Sequence, residues 1–192
     1  MSLLVNFGLY QVGWFAIVLG AANGIGWLGA VVALLLVGVH LVLVRGLSRH
    51  LALILAAGTI GMTVDSFQVQ FGILRFPYTG HTQQLAPPWD AVLWIQFATI
   101  LPFCLRWLSH RYVLSAVVGL TGGPLAFYGG EKLGAVSFEP PRAVSLAVLA
   151  AVWALTLPLL VWLSDVIVLD PGFGERYRIS QVDTDEPATD TE

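Results

Sequence analysis

The stretch LALILAAGTIGMTVDSFQVQFGIL, Leu51 to Leu74, decides the fold class. A hydrocarbon layer about 30 Å thick takes roughly 20 residues of apolar helix to cross, and this stretch is long enough. Its small and polar residues are not scattered. Gly58, Gly61, Asp65, Gln68 and Gly72 follow at spacings of three, four, three and four, which puts them on one face of a helix. A carboxylate at membrane depth costs at least ~2.5 kcal/mol on insertion scales, so it turns toward a bundle interior, a partner or water. Asp65 lies roughly 20 Å along its helix from the segment start. That places it in the half of the membrane where this helix ends.

Working outward, five further segments have the same character, at about 3–21, 25–44, 89–109, 112–134 and 143–164. The whole chain of 192 residues is 57% apolar and only 11% charged, with a mean hydropathy of +0.79. A soluble domain carries about 25% charged residues, so these residues cannot build a water-facing surface. Residues 1–164 carry a net charge of +3 and residues 165–192 a net charge of -6. The expected architecture is therefore all-α, a polytopic bundle of six transmembrane helices over 1–169, with an acidic disordered tail over 170–192.

Positive residues orient the bundle. Arg45, Arg49, Arg106, Arg111, Arg176 and Arg178 fall on one side; Arg75, Lys132 and Arg142 fall on the other. The positive-inside rule then puts both termini in the cytoplasm of a multi-pass protein of the bacterial inner membrane. The first segment has no Lys or Arg before it and an apolar run too long for a signal peptide, so it is expected to be retained. Trp27 and Trp89 are expected at outer helix ends, and Trp107 and Trp162 near inner ones. Trp14, Trp94 and Trp153 lie deeper, as packing or cavity-lining groups.

Several functions drop out. No basic stripe serves nucleic acid, and no glycine spacing marks a nucleotide site. Cys104 has no second cysteine to pair with and reads as a packing group. His40, His50, His81 and His110 lack the spacing of a helical metal site, so no metal and no cofactor are expected.

The polar residues gather in the outer half instead. The candidate ligand-binding set is Asp65, Gln68, Gln96, Tyr128, Glu131 and Lys132. Gly119 and Gly123 permit close helix approach, and Pro124 favours a kink or break in the fifth segment. Asp90 suits the positive end of the helix that it begins. Inner-half groups are sparse: Asn6, Gln11 and His40 stand apart on two helices.

The run Gly123-Pro124-Leu125-Ala126-Phe127-Tyr128-Gly129-Gly130-Glu131-Lys132-Leu133-Gly134-Ala135 resembles a bacterial inner-membrane family, domain of unknown function 2878. Thr63-Val64-Asp65-Ser66, Pro88-Trp89 with Trp94, and Leu105-Arg106-Trp107-Leu108 resemble it too, over roughly 5–165. The resemblance implies a fold and a membrane location, with no established reaction. It also implies a link to membrane fatty-acid modification, such as by cyclopropane synthases. The family pattern has a small residue followed by Arg near Glu131-Lys132. Glu131 departs from it while Lys132 keeps the charge, which makes Asp65 with Lys132 the better pair.

Three functions follow from these residues. The first is an accessory or binding protein holding a lipid, an isoprenoid or a membrane partner in an outer-half polar pocket. The second is a membrane-embedded lipid-modifying enzyme using Asp65 as acid or base. The third is a small proton-coupled transporter. Expected partners are membrane lipids, a membrane-protein partner or further copies of the chain, and no nucleic acid.

Overall fold

The computed structural model describes residues 2–77 and 84–169. The acidic tail over 170–192 and His81 lie outside the described residues. Six helices follow in chain order: α1 (Leu3–Ala22), α2 (Gly26–Leu43), α3 (Leu47–Gln70), α4 (Pro88–Ala98), α5 (Tyr112–Leu133) and α6 (Arg142–Ser164). All but α4 are long and apolar enough to cross a membrane, α6 together with its continuation to Leu169. α1 lies along α2, α5 lies along α6, and α4 is enclosed by α1, α2 and α3.

Burial is distributed inside out. Leu4, Val42, Val113 and Leu155 are between 76% and 85% exposed, whereas Asn6, His40, Asp65, Asp90, Gln96 and Ser115 are buried. In water such a surface would be unstable; in hydrocarbon it is the expected one, because only the bundle interior can satisfy a polar group. A central core of Leu53, Ala57, Trp94, Leu149, Trp153 and Leu160 joins α3, α4 and α6.

The fourth segment differs from the continuous span expected over 89–109. α4 stops at Ala98, and the chain continues in tight turns to a short 3-10 turn at Arg106–Leu108. Pro102 is the physical cause: it has no N–H to give to Ala98, and its ring disfavours helical geometry in the residue before it. The N–H groups of Thr99, Ile100 and Leu101 donate three residues back, to Gln96, Phe97 and Ala98. Irregular backbone at this depth persists only where protein surrounds it. Ile100, Leu101 and Leu108 are indeed buried, and Asn6 Nδ2 donates to the Thr99 carbonyl at 3.0 Å. Pro124, by contrast, does not break α5, which runs unbroken from Tyr112 to Leu133.

The two ends of the bundle are distinct. At one end the start of α1 meets the 99–112 connection, with Cys104 Sγ 3.7 Å from the Leu3 carbonyl. Asp165, following α6, closes the same end. Its carboxylate accepts from Ser109 Oγ at 2.6 Å, from the His110 backbone N–H at 3.0 Å and from the Tyr112 hydroxyl at 3.2 Å. Sequence composition groups Asp165 with the tail acids, yet it is buried and belongs to the body. At the other end, strand β1 (Leu74–Arg75) pairs antiparallel with β2 (Ser137–Phe138), adding a small sheet to an otherwise all-α fold. α5 reaches β2 through Gly134, whose φ of 90° is left-handed and suits glycine.

Arg45, Arg49, Arg106 and Arg111 therefore cluster at the terminal end, and Arg75, Lys132 and Arg142 at the sheet end. A periplasmic reporter fused after residue 138 is expected to be active and one at residue 47 silent. The reverse pattern would invert the orientation of the bundle.

Candidate functional site: a buried acid pair beneath an aromatic cavity

The site begins with the glycine stripe on α3. A Cβ at Gly61 would sit 1.9 Å from Trp94 Cγ, and one at Gly58 would sit 2.7 Å from Ile95. The missing side chains let α4 lie directly on α3, with the Trp94 ring in the space above Gly61. One turn further on, Asp65 meets that ring's edge. Trp94 Nε1 donates to Asp65 Oδ2 at 2.7 Å, and Gln68 Nε2 donates to Oδ1 at 2.6 Å.

The third partner of Asp65 is Asp90. The two carboxyl groups lie close enough to interact directly, and both are buried, at 0% and 1% exposure. Two carboxyl groups this close and this buried bond to one another only where a proton lies between them. Asp90 and Trp94 reach Asp65 together because they stand four residues apart on α4, on one face. That spacing was the signal available in sequence. The helix-dipole reading accounts for the position of Asp90 in the first turn but not for its burial against another acid.

Asp65 and Asp90 line a cavity at the sheet end of the bundle, with about 610 Å³ of space between side chains, its open mouth included. Its walls are aromatic: Tyr10 and Trp14 from α1, Phe76 before α4, Trp89, Trp94 and Phe97 from α4, Phe127 from α5 and Trp153 from α6. Trp94 and Trp153 stack with centroids 4.8 Å apart and planes 16° apart, and Phe97 stands edge-on to both. The Trp153 backbone and ring occupy the space that Cβ atoms at Gly119 and Gly123 would need, at 2.2 and 2.1 Å. The small residues of α5 thus act as the close-approach face expected of them, against α6. Trp14, Trp94 and Trp153 are cavity walls.

Ala126 on α5 is exposed and also lines the cavity, which is partly open.

The other expected site residues are placed elsewhere. Gln68 is buried beside Asp65 as its hydrogen-bond donor and does not line the cavity. Gln96 turns to α1, donating from Nε2 to the Leu9 and Tyr10 carbonyls, each at 3.1 Å. It fills the space left by Gly13, where a Cβ would fall 1.8 Å from that nitrogen. Tyr128, Glu131 and Lys132 form a separate group on the rim of α5. Lys132 Nζ lies 5.3 Å from the centre of the Tyr128 ring, the Arg142 guanidinium lies 5.5 Å from it, and Arg142 pairs with Glu131. Lys132 is thus not the partner of Asp65; the indole, the amide and the second acid are. A lysine with its stem on an exposed helix end places its ammonium at the interface more cheaply than in the core.

Among the described residues no group of three or more His, Cys, Asp or Glu side chains converges as a metal site. His40 and His50 do meet at the terminal end, with ring centres 5.5 Å apart and Phe103 against both.

No curated protein and no solved structure matches the chain. One family model, described as "Protein of unknown function (DUF2878)", matches residues 3–159, a range that includes every residue of the acid pair and its cavity.

Proposed function

The chain belongs to this family, DUF2878, and we propose that it is an inner-membrane binding protein that holds a lipid or isoprenoid beside the Asp65–Asp90 pair. The observation that carries the proposal is the cavity: aromatic walls with an acid pair set into them. A largely apolar cavity inside a bundle whose outer surface is itself apolar suits a molecule already dissolved in the bilayer. Orientation by positive residues puts this end toward the periplasm, in the outer half of a bacterial inner membrane. Such a protein fits an accessory role in membrane fatty-acid modification, alone or with a membrane partner.

Native mass spectrometry of the full chain, released gently from detergent, tests the proposal. The expected spectrum carries a stoichiometric apolar adduct, which Ala126→Trp removes by filling the cavity from its α5 wall. A bare protein mass, or only a spread of bulk phospholipids unaffected by the variant, would sink it.

One observation favours catalysis as a second reading. Two buried carboxyl groups held this close are able to pass a proton at one place, as general acid–base chemistry requires. Turnover of the bound molecule that is abolished in Asp90→Asn, with the adduct retained, would favour the enzyme.

A further inference from the structure

We infer that Lys132, Tyr128 and Arg142 form a binding site for the phosphate of an anionic phospholipid, on the outside of the bundle at its sheet end. The site stands apart from the cavity and does not rest on the binding role proposed above. Its ground is an account of charge. Five acids precede the tail: Asp65, Asp90, Glu131, Glu139 and Asp165. Asp65 and Asp90 are buried in the interior, and Asp165 is buried at the terminal end. The tail acids are attached to the chain at that same terminal end. At the sheet end Glu139 pairs with Arg75, and Glu131 pairs with Arg142. Residues 78–83, Tyr-Thr-Gly-His-Thr-Gln, bring no acid to it. Lys132 is left over, so the sheet end carries one positive charge for which it has no carboxylate.

That charge stands among hydrogen-bond donors. Lys132 follows Tyr128 by one helical turn, and its ammonium lies 5.3 Å from the centre of the Tyr128 ring. The Arg142 guanidinium lies 5.5 Å from the same centre and 5.6 Å from that of Phe138. Two cations beside one ring repel one another, and Glu131 offsets only one of them. Tyr128 is 43% exposed, and its hydroxyl is bonded to no other described residue. The ammonium, the phenolic O–H and the guanidinium N–H groups that Glu131 does not take are all donors. They lack a negative acceptor. The exposed Lys132 stem rotates freely, so the ammonium can swing to an anion held by its neighbours.

Height chooses the anion. Lys132 is in the last turn of α5, which is long enough to cross the membrane, and the ends of such helices stand among lipid headgroups. Phosphate is the negative group of that layer. Free phosphate has the same chemistry without acyl chains. Leu125 favours the lipid, because it is exposed on the same face of α5 one turn deeper, where an acyl chain would follow its headgroup.

Phosphatidylglycerol, phosphatidylcholine and diacylglycerol with identical acyl chains, titrated onto the full chain after delipidation and read by native mass spectrometry, test the inference. Phosphatidylglycerol is expected to bind about fivefold more tightly than either of the others, the range of an exposed charge contact. Lys132→Gln should abolish that preference, and Lys132→Arg should keep it. Arg45→Gln removes the same charge at the opposite end of the bundle and should leave it unchanged. Three equal affinities overturn the site. So does a preference that survives Lys132→Gln, or one that Arg45→Gln also removes, since the general field of the protein then accounts for it. Displacement of phosphatidylglycerol by millimolar inorganic phosphate overturns the lipid as the source of the anion. If Lys132→Gln does not fold, Tyr128→Phe takes its place with an expected loss of about threefold, one neutral hydrogen bond, and no loss there overturns the site.

Discussion

Asp65→Leu is expected to lower the stability of the bundle by about 3–5 kcal/mol, since several buried polar groups are left unsatisfied at about 1–3 kcal/mol each, whereas Asp65→Asn costs only about 1 kcal/mol, one net hydrogen bond. Leucine matches the carboxylate roughly in bulk but accepts nothing. It leaves the Trp94 N–H, the Gln68 amide and the Asp90 carboxyl unsatisfied at once, in surroundings with no water to relieve them. Asparagine behaves differently because one neighbour can turn around. Its oxygen can accept from Trp94 in place of Asp65 Oδ2. Its amide nitrogen would then face the Gln68 nitrogen that now donates to Oδ1. Rotation of the Gln68 amide brings forward its oxygen, which is buried and without a partner in the native arrangement. Asp90 alone loses its acid partner. Thermal unfolding in detergent, followed by tryptophan fluorescence, should therefore rank native, Asn and Leu in that order with a wide gap before Leu. Equal losses for Asn and Leu would show that the charge of Asp65, and not its hydrogen bonds, holds the site together.

The second large effect is steric. Gly61→Ala adds a single methyl group 1.9 Å from Trp94 Cγ, far inside van der Waals contact, and a stacked indole cannot absorb that by a small shift. Either α4 moves away from α3 or Trp94 swings out, and in both cases Asp65 loses its 2.7 Å donor and Trp153 loses its stacking partner. The cost is expected at about 1–3 kcal/mol for overpacking, with the lost hydrogen bond added. Combining it with Trp94→Leu relieves the clash. The two changes together should then cost less than the sum of each alone, the signature of directly coupled neighbours. Strict additivity would mean that Gly61 and Trp94 do not press on one another.

Residues 51–74 illustrate what a single helix can disclose. Period and hydropathy are local properties, so the membrane class and the inward face of α3 were legible there. The same period predicts that Gly58 and Gly61 receive a close neighbour, and they do. Which neighbour arrives is a matter of packing. α4 lies there, and the fifth segment, whose glycines carry the stronger close-approach signal, spends them on Trp153 of α6. Pro102 was equally visible in sequence, and its effect in ending α4 at Ala98 follows from its chemistry. A count of apolar residues over 89–109 does not register it.

By itself, then, the sequence determined a helical membrane bundle with a carboxylate turned inward, because hydrocarbon leaves a polar side chain no other place to go. It also determined that Trp94 and Trp153 lie deep. Only the tertiary structure decided who stands beside Asp65. Charge complementarity nominates Lys132, the chain's one lysine, yet an ammonium at the end of α5 gains more by staying at the interface over Tyr128. Asp90, an acid like Asp65, takes the place because α4 begins beside Asp65 and is held there by the close contact of Trp94 with Gly61. Sequence spacing carries no distance between residues 65 and 90. That distance is set by the bare backbone of Gly61 and by the indole of Trp94 lying against it.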